Sequence, residues 1–423
     1  MLNTPFSPWP SFSEEEANAV RDVLLSNRVN YWTGTEGREF EKEFAAWAGC
    51  KHAIALANGT VALDIALWAL DLGEGDEVIV TPRTFLASAS SIVNAGAVPV
   101  FAEVDPDTQN ITAETIAAVL TPRTRAVIAV HLAGWPCDMD PIMALAEEHN
   151  LYVIEDCAQA HGATYKGRPV GSIGHVGSWS FCQDKIMTTG GEGGMVTTND
   201  TELWKTMWSL KDHGKSWEAV YEREHAPGFR WLHERFGTNW RMTEMQAAIG
   251  RIQLKRMPHW RTARADNAEK IWSAARACRG LRVPTVPEDI VHAAYKCYVF
   301  VEPSELKAGW DRDRILAEIN ARGVPCFSGS CSEVYLEKAF DHTGWRPAEP
   351  LPVARQLGDT SLMFLVNPNL TTEEIVRTCS ALHEVMRLAV PEQDAQAMRQ
   401  YSAYSALEPD EAREVKAQQS KRG

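Results

Sequence analysis

Val153-Ile154-Glu155-Asp156 is a short apolar run that ends in a carboxylate, a pattern typical of a buried strand. Similar runs lie in the first half of the chain at 53–57, 77–81, 98–104, 126–131 and 178–181, and helix-like stretches at 60–72, 85–94, 113–120 and 139–149 separate most of them. This alternation predicts an α/β fold, a mostly parallel sheet flanked by helices. Because such sheets bind ligands at the carboxyl ends of their strands, we expect Asp156 at a ligand-binding edge.

A change of pattern in the second half predicts a further domain. The stretch 242–276 is rich in Ala, Gln, Arg and Glu and predicts a helix or helix pair, which Pro258 could kink. Short strands such as 298–301, followed by a helix near 312–322, then predict a smaller α+β unit. We therefore expect a large ligand-binding domain over 1–260, a small C-terminal α+β domain over 261–390 and a flexible polar tail over 391–423.

Composition excludes several classes of function. With 423 residues and a net charge of −14, the chain lacks the basic surface that nucleic acid or an anionic membrane would need. Its nine cysteines show neither a CxxC pair nor zinc-ligand spacing, so we expect free thiols and no metal site. There is no apolar stretch long enough to span a membrane, and the N-terminus lacks the pattern of a signal peptide. We expect a soluble cytoplasmic protein.

Lys185 and Asp156 together form a candidate pair for cofactor chemistry. It lies in Ser180-Phe181-Cys182-Gln183-Asp184-Lys185, just before Gly190-Gly191-Glu192-Gly193-Gly194. Pyridoxal phosphate chemistry needs such a pair, because an amine can hold the aldehyde as a Schiff base while a carboxylate keeps the pyridine nitrogen protonated. The alternative is that Lys185 is one of many solvated lysines. The glycines favour a tight turn that places Lys185 and returns the chain into a strand at 195–198.

Further residues of the first half could complete such a site. Asn58-Gly59-Thr60 joins a strand to a helix, where backbone amides can hold a phosphate; the alternative is an ordinary turn with Thr60 as helix cap. Asp156 could likewise only cap a following helix, and Asp138 is expected to cap the helix at 139–149. Gln159 could donate a hydrogen bond to the phenolic oxygen of the cofactor.

Several motifs in order resemble one known family. They are Ala158-Gln159-Ala160-His161-Gly162-Ala163, the spacing from Ser180-Phe181 to Lys185, the glycine run after it, and Gly237-Thr238-Asn239-Trp240-Arg241-Met242-Thr243-Glu244. Together they resemble the DegT/DnrJ/StrS group of sugar aminotransferases, which are fold-type I enzymes that depend on pyridoxal phosphate. The resemblance runs from about residue 5 to about residue 387.

The resemblance implies a role for each matching residue. Lys185 would form the Schiff base and Asp156 would pair with the pyridinium, as the two catalytic residues. Gln159 would contact the ring oxygen, Phe85 would stack on the ring, and Gly59, Thr60 and Ser180 would bind the phosphate. Asn239 falls where the family lends an asparagine from the neighbouring subunit, which implies a homodimer with shared active sites.

The resemblance also implies a reaction. An amino group would pass from glutamate or glutamine to a keto sugar, most simply a nucleotide-linked 3-keto or 4-keto sugar, by a ping-pong mechanism with pyridoxamine phosphate as the intermediate form. Other fold-type I enzymes acting on non-sugar ketones, and a non-catalytic regulatory or binding protein on the same fold, remain alternatives.

The sequence indicates substrate contacts less specifically than cofactor contacts. Tyr31, Trp32 and His131 could line the sugar pocket, although core packing is the usual role of such residues. His161 could approach the ring or the phosphate, or could be an ordinary hydrogen-bonded histidine.

Overall fold

A seven-stranded sheet forms the centre of the larger part of the molecule in the computed structural model, which describes residues 5–391. The strands are β1 (His52–Leu56), β2 (Glu77–Val80), β3 (Val98–Phe101), β4 (Thr124–Val130), β5 (Tyr152–Asp156), β6 (Thr164–Tyr165), β7 (Arg168–Pro169), β8 (Val176–Ser180), β9 (Gly194–Thr198), β10 (Leu281–Arg282), β11 (Ile290–Val291), β12 (Cys297–Val301), β13 (Cys326–Phe327) and β14 (Ser361–Phe364). The central sheet has the order β1-β9-β8-β5-β4-β2-β3. Only β9 runs against its neighbours, so the sheet is mostly parallel, as predicted.

Helices cover this sheet and build the rest of the molecule. They are α1 (Glu14–Leu25), α2 (Glu36–Trp47), α3 (Gly59–Ala69), α4 (Ala87–Asn94), α5 (Ala113–Ala117), α6 (Met139–Glu148), α7 (Thr201–Lys211), α8 (Trp217–Tyr221), α9 (Glu244–Arg276), α10 (Arg312–Ala321), α11 (Pro352–Thr360) and α12 (Thr372–Ala389). Six consecutive residues of α3, from Ala62 to Leu67, are buried, which explains why its sequence is apolar nearly all round. The predicted α/β alternation of strands and helices is confirmed.

A smaller antiparallel sheet, in the order β10-β12-β14-β13, lies in the C-terminal part of the chain. Its core combines the apolar face of this sheet with residues of α9, α10 and α12, among them Ile271, Val299, Ile319 and Leu382. A third, three-stranded sheet pairs β11 from this part with β6 from the larger part. The two parts are thus joined by backbone hydrogen bonds as well as by α9.

The long stretch after residue 242 forms one helix rather than a pair. Thr243 and Gln246 cap α9 reciprocally, and the helix continues for 33 residues through Pro258. It contacts α1 and α2 at one end and α12 and β12 at the other. The division into 1–260 and 261–390 therefore falls inside a continuous helix and stays a prediction. Except for Pro391, the predicted tail 391–423 lies outside the described residues.

One expected helix cap is wrong. Asp138 does precede α6, but its carboxylate accepts a hydrogen bond from the Tyr165 hydroxyl and makes no capping bond to the helix. The tyrosine competes for the carboxylate because β6 brings it to the start of this helix. Within residues 5–391, no helix combines the length and the apolar character that crossing a membrane requires.

Candidate active site

Four strands bring the predicted site residues to one edge of the central sheet. Strands β4, β5 and β8 are mutually parallel, so their carboxyl ends lie side by side. Strand β1 is separated from β8 by the antiparallel β9 and therefore points the same way as β8. Asp156 and Ser180 end β5 and β8, and Asn58 follows β1. Residues far apart in sequence thus meet where parallel sheets bind ligands.

The turn after β1 forms a cradle suited to a phosphate. Asn58 caps α3, since its Oδ1 accepts a hydrogen bond from the Val61 amide at 3.0 Å, so the alternative of Thr60 as the cap is wrong. The first-turn amides of Gly59 and Thr60 then have no partner within the helix. A Cβ on Gly59 would lie 2.5 Å from the Ser180 Cβ, so only glycine allows the helix start and the strand end to approach this closely.

Asp156 is a buried carboxylate surrounded by neutral donors. Its side chain is 6% exposed, and it accepts hydrogen bonds from the Ser88 hydroxyl at 2.8 Å and the Ala158 amide at 3.1 Å. The next element after β5 is β6, so the alternative role as a helix cap is wrong. No cation within residues 5–391 lies in ion-pair range of it. A buried carboxylate favours a positively charged partner, which a protonated pyridine nitrogen would provide.

The amide of Gln159 is oriented by the turn that follows β4. Its Oε1 accepts a hydrogen bond from the Ala133 backbone amide at 2.9 Å, and the residue is 8% exposed. This bond leaves Nε2, the donor end, for another group. The orientation suits the predicted donation to a phenolic oxygen.

Lys185 is held by its backbone in the loop between β8 and β9. Its carbonyl accepts a hydrogen bond from the Trp9 indole at 2.7 Å, and its Nζ lies 5.1 Å from the centre of the Tyr295 ring. Gly190 and Gly191 have φ angles of 85° and 121°, which L side chains rarely adopt. These two glycines let the loop reverse into β9, as the sequence predicted.

Asp184 and Tyr295 flank this lysine. The Tyr295 hydroxyl donates a hydrogen bond to the Asp184 carboxylate. Burial would raise the pKa of Asp184, but the charge of Lys185 and the bond from Tyr295 together lower it. Burial and the neighbouring Asp184 charge raise the pKa of Tyr295 well above its usual value, so the phenol stays protonated and remains a donor.

A second buried carboxylate, Glu155, supports the edge from the other face of β5. Its two oxygens accept hydrogen bonds from the amides of Gly171, Ile173 and Gly174 at 2.6–2.8 Å, and one also lies 3.0 Å from His131 Nε2. Burial would raise the pKa of Glu155, but these bonds outweigh it and lower the pKa. An ionised Glu155 therefore ties the end of β4 to the turn that leads into β8.

The expectation that His131 lines a sugar pocket is wrong. The side chain is fully buried, its Nε2 faces Glu155 and its Nδ1 accepts a hydrogen bond from the Cys137 amide at 3.0 Å. Since Nδ1 is an acceptor, the proton of a neutral ring lies on Nε2 and points at the carboxylate. Both ring nitrogens thus have partners within the protein, and neither is left to contact a sugar.

Tyr31 and Trp32 belong to a polar network beside the cradle. The Tyr31 hydroxyl donates to Glu41 at 3.0 Å, and the residue is 2% exposed. The Trp32 indole donates to Asp212 at 2.6 Å. Their polar atoms are already engaged, and their contact with a substrate stays a prediction.

His161 lies under the sheet edge among aromatic rings. Its ring centre is 5.3 Å from that of Trp179 and 5.7 Å from that of Phe181. Burial, together with the positive charges of Lys185 and Arg264, lowers the pKa of His161 to about 3, so the ring is neutral. Within the described chain neither of its nitrogens has a hydrogen-bond partner. A role toward substrate stays a prediction.

Two further predicted contacts are exposed. Phe85, for which the family resemblance implies stacking on the ring, is 69% exposed and lies just before α4. Asn239, on the approach to α9, is also exposed and pairs with Asp212 only through its backbone. Both side chains are accessible, and their roles stay predictions.

Sequence reasoning missed the residues that contact Asp156 and Lys185. Ser88, which binds Asp156, lies only three residues after Phe85, and its position on a helix facing the strand end could have indicated it. Trp9 and Tyr295 reach Lys185 from segments that lie far before and far after it in sequence. No local pattern marks them, because only the folded chain brings them there.

The site as a whole fits pyridoxal phosphate. The cradle offers free helix amides, Asp156 is a buried carboxylate without a cation among the described residues, Gln159 presents a donor, and Lys185 presents an amine. Each of these matches a different part of the cofactor, namely the phosphate, the ring nitrogen, the phenolic oxygen and the aldehyde.

Comparison with known proteins agrees with this geometry. Residues 10–383 match the model of the DegT/DnrJ/EryC1/StrS aminotransferase family. GDP-perosamine synthase from Caulobacter vibrioides is 38% identical over 375 residues, which cover 86% of this chain and 95% of the relative. UDP-N-acetyl-3-dehydro-alpha-D-glucosamine 3-aminotransferase from Acidithiobacillus ferrooxidans is 36% identical over 374 residues, which cover 87% of this chain and 95% of the relative.

Solved structures show the same fold. An aminotransferase from Psychrobacter cryohalolentis superposes with a TM-score of 0.89 at 67% identity, covering 91% of this chain and 99% of that chain. DesV from S. venezuelae, solved in complex with a ketimine intermediate, gives a TM-score of 0.78 at 33% identity, covering 88% of this chain and 94% of that chain. The fold class and the enzyme class predicted from the sequence are thus confirmed: the chain belongs to the DegT/DnrJ/EryC1/StrS aminotransferase family.

Proposed function

We propose that this enzyme is a pyridoxal phosphate-dependent aminotransferase that moves an amino group from glutamate or glutamine to a nucleotide-linked 3-keto or 4-keto sugar. The observation that supports the proposal is that the loop carrying Lys185, the buried Asp156 and the cradle at Gly59 all lie at the same edge of the central sheet. Two relatives that are named for nucleotide sugars, one linked to GDP and one to UDP, support the acceptor class.

Each residue has a defined task in this reaction. When bound, pyridoxal phosphate supplies an aldehyde carbon that accepts amino groups and a ring that withdraws electrons. Asp156 would keep a proton on the ring nitrogen, and the Ser88 hydrogen bond would hold the carboxylate toward it. Lys185 Nζ would take the proton from Cα of the amino-acid donor and pass it to the aldehyde carbon that accepts the amino group. In the second half of the reaction it would carry a proton back from that carbon to the sugar carbon that receives the amine. Since the amino group stays on the enzyme between substrates, the kinetics would be ping-pong.

We further propose a homodimer in which Asn239 completes the partner's phosphate site. The segment before it carries large exposed apolar side chains, namely Phe229 at 76%, Trp231 at 80% and Phe236 at 100% exposure. Such a group of exposed aromatic side chains is typical of a protein interface. The exposed Asn239 lies at the end of this segment, where a neighbouring subunit could use it.

We also propose a cytoplasmic location. All nine cysteines are free thiols, five of them buried. Free thiols at this number are typical of a reducing compartment.

The acceptor proposal predicts an amino-sugar product. Nucleotide-linked 3-keto and 4-keto sugars, each incubated with the holoenzyme and glutamate or glutamine, should give in at least one case a product whose mass corresponds to replacement of the keto oxygen by an amino group. If the enzyme shows the visible absorbance of bound cofactor but aminates none of these sugars, the acceptor is a different ketone.

Replacing Lys185 by Ala should abolish the visible absorbance of the lysine-bound cofactor and reduce turnover by roughly 10²- to 10⁴-fold, because the amine that moves the proton is lost. Absorbance spectra and initial rates measure the two effects. Lys166→Ala removes a half-exposed lysine that pairs with Asp140 and should change neither. Normal turnover by Lys185→Ala would contradict the assignment.

Replacing Asp156 by Asn should slow both half-reactions by roughly 10²- to 10³-fold, because the negative charge that protonates the ring nitrogen is removed. Single-turnover absorbance changes with donor and acceptor measure them separately. Ser88→Ala keeps the charge and removes only one hydrogen bond, so we expect a much smaller effect. Unchanged rates in Asp156→Asn would show that the carboxylate is only structural.

The shared site predicts recovery of activity in mixed dimers. Lys185→Ala and Asn239→Ala should each have low activity, but co-expression should restore about a quarter of normal activity, because half of the dimers are mixed and each of those has one intact site. Co-expression of the single variants Lys185→Ala and Asp156→Asn is the control. Both residues would act in the site of their own subunit, so no mixed dimer has an intact site and no recovery is expected. Absence of recovery when Lys185→Ala and Asn239→Ala are co-expressed would contradict the shared site.

A further inference from the structure

Two ammonium groups share one aromatic ring beside the reaction centre. Lys185 Nζ lies 5.1 Å from the centre of the Tyr295 ring, and Lys296 Nζ lies 4.7 Å from the same centre. Lys296 is partly buried at the start of β12. Within residues 5–391, no carboxylate lies in ion-pair range of either ammonium group. The reaction chemistry uses Lys185 and leaves Lys296 without a task.

A third cation lies behind this pair. Arg264, on α9, is 1% exposed, and its Nη1 donates a long hydrogen bond of 3.4 Å to the Tyr295 carbonyl. Its Nε and Nη2 have no partner among the described residues. Asp184 is the carboxylate whose charge acts on both Lys296 and Arg264, so positive charge exceeds negative charge here even when Lys185 holds the cofactor aldehyde.

This excess favours the binding of an anion. Burial lowers the pKa of Lys296 to about 8; the charge of Asp184 opposes this shift, and the charges of Arg264 and Lys185 add to it. At pH 7 the amine is still mostly protonated. A partly buried cation without a carboxylate in ion-pair range is unfavourable, and a carboxylate that reached it would form a charge-assisted hydrogen bond.

The position of Lys296 and Arg264 beside Lys185 indicates which anion could bind there. The phosphate of the cofactor has its own cradle at Gly59, Thr60 and Ser180. In a 3-keto or 4-keto sugar the reacting carbon is separated from the anomeric phosphate by several bonds. In an amino acid, by contrast, a carboxylate is attached directly to the Cα that must meet Lys185 Nζ. The donor therefore carries the anionic group that comes closest to this lysine.

We propose that Lys296 binds a carboxylate of the amino-acid donor, with Arg264 as a buried positioning charge behind it. This inference rests on the proposed aminotransferase function. It assigns Lys296 to donor recognition and leaves the acceptor sugar to other residues. Lysine at this position would thereby set a preference for an anionic amino donor.

The test measures carboxylate binding separately from turnover. Glutarate carries both carboxylates of glutamate and no amine, so it can bind to the holoenzyme without reacting. Lys296→Met keeps the length of the side chain and removes its charge, and should weaken glutarate binding about 10- to 100-fold in calorimetric titration. Lys296→Arg should retain most of the affinity. Lys51→Met, at an exposed lysine before β1, should leave it unchanged.

Steady-state kinetics then identify which substrate is recognised. In Lys296→Met the KM for the donor should rise by about the same factor as the glutarate Kd, while the KM for the acceptor sugar and the absorbance of the bound cofactor stay unchanged. Equal glutarate binding by wild type and Lys296→Met, or no glutarate binding by wild type, would overturn the inference. A rise confined to the acceptor KM would also overturn it and assign Lys296 to the nucleotide sugar. If no keto sugar is aminated, the proposed acceptor fails, whereas the glutarate titration still decides the role of Lys296.

Discussion

The buried carboxylate of Glu155 is the interaction on which the geometry of the site depends. Glu155 and Asp156 are consecutive on β5, so their side chains point to opposite faces of the sheet. Glu155 binds His131 after β4 and the turn before β8, while Asp156 accepts hydrogen bonds from Ser88 and Ala158 on the opposite face. One strand end thus holds its neighbours through one carboxylate and presents a second carboxylate, the proposed partner of the cofactor ring, on its other face. The burial of Glu155 makes this arrangement rigid, because any unpaired donor or acceptor there would be costly.

Charge is distributed unevenly around the site. Asp156 is a carboxylate that meets only neutral donors among the described residues, whereas Lys185, Lys296 and Arg264 share one carboxylate, Asp184. In the proposed reaction a pyridinium would complement the first imbalance and a donor carboxylate would complement the second. The protein would thus carry the opposite of the charges that we propose it binds, and such complementarity would orient its ligands.

Much of the fold could be predicted from sequence, and the sequence also indicated the candidate cofactor residues. Each predicted strand of the first half corresponds to a strand of the central sheet, because apolar runs separated by helical stretches have a strong local pattern. The prediction failed for His131 and for the cap at Asp138. In both cases a polar partner distant in sequence, Glu155 or Tyr165, competes for the side chain. Local patterns hold no information about such partners.

The sequence by itself determined the α/β class and the family resemblance, and it indicated Lys185 and Asp156 as a candidate pair, because these follow from periodicity and from motifs within short segments. Only the tertiary structure decided which side chains surround that pair. Trp9, Ser88 and Tyr295 come from separate parts of the chain, and Lys296 and Arg264 come together only because β12 packs against α9. The physical reason is that hydrogen bonds and charge interactions act through space over a few ångströms, whereas sequence patterns report only local conformation.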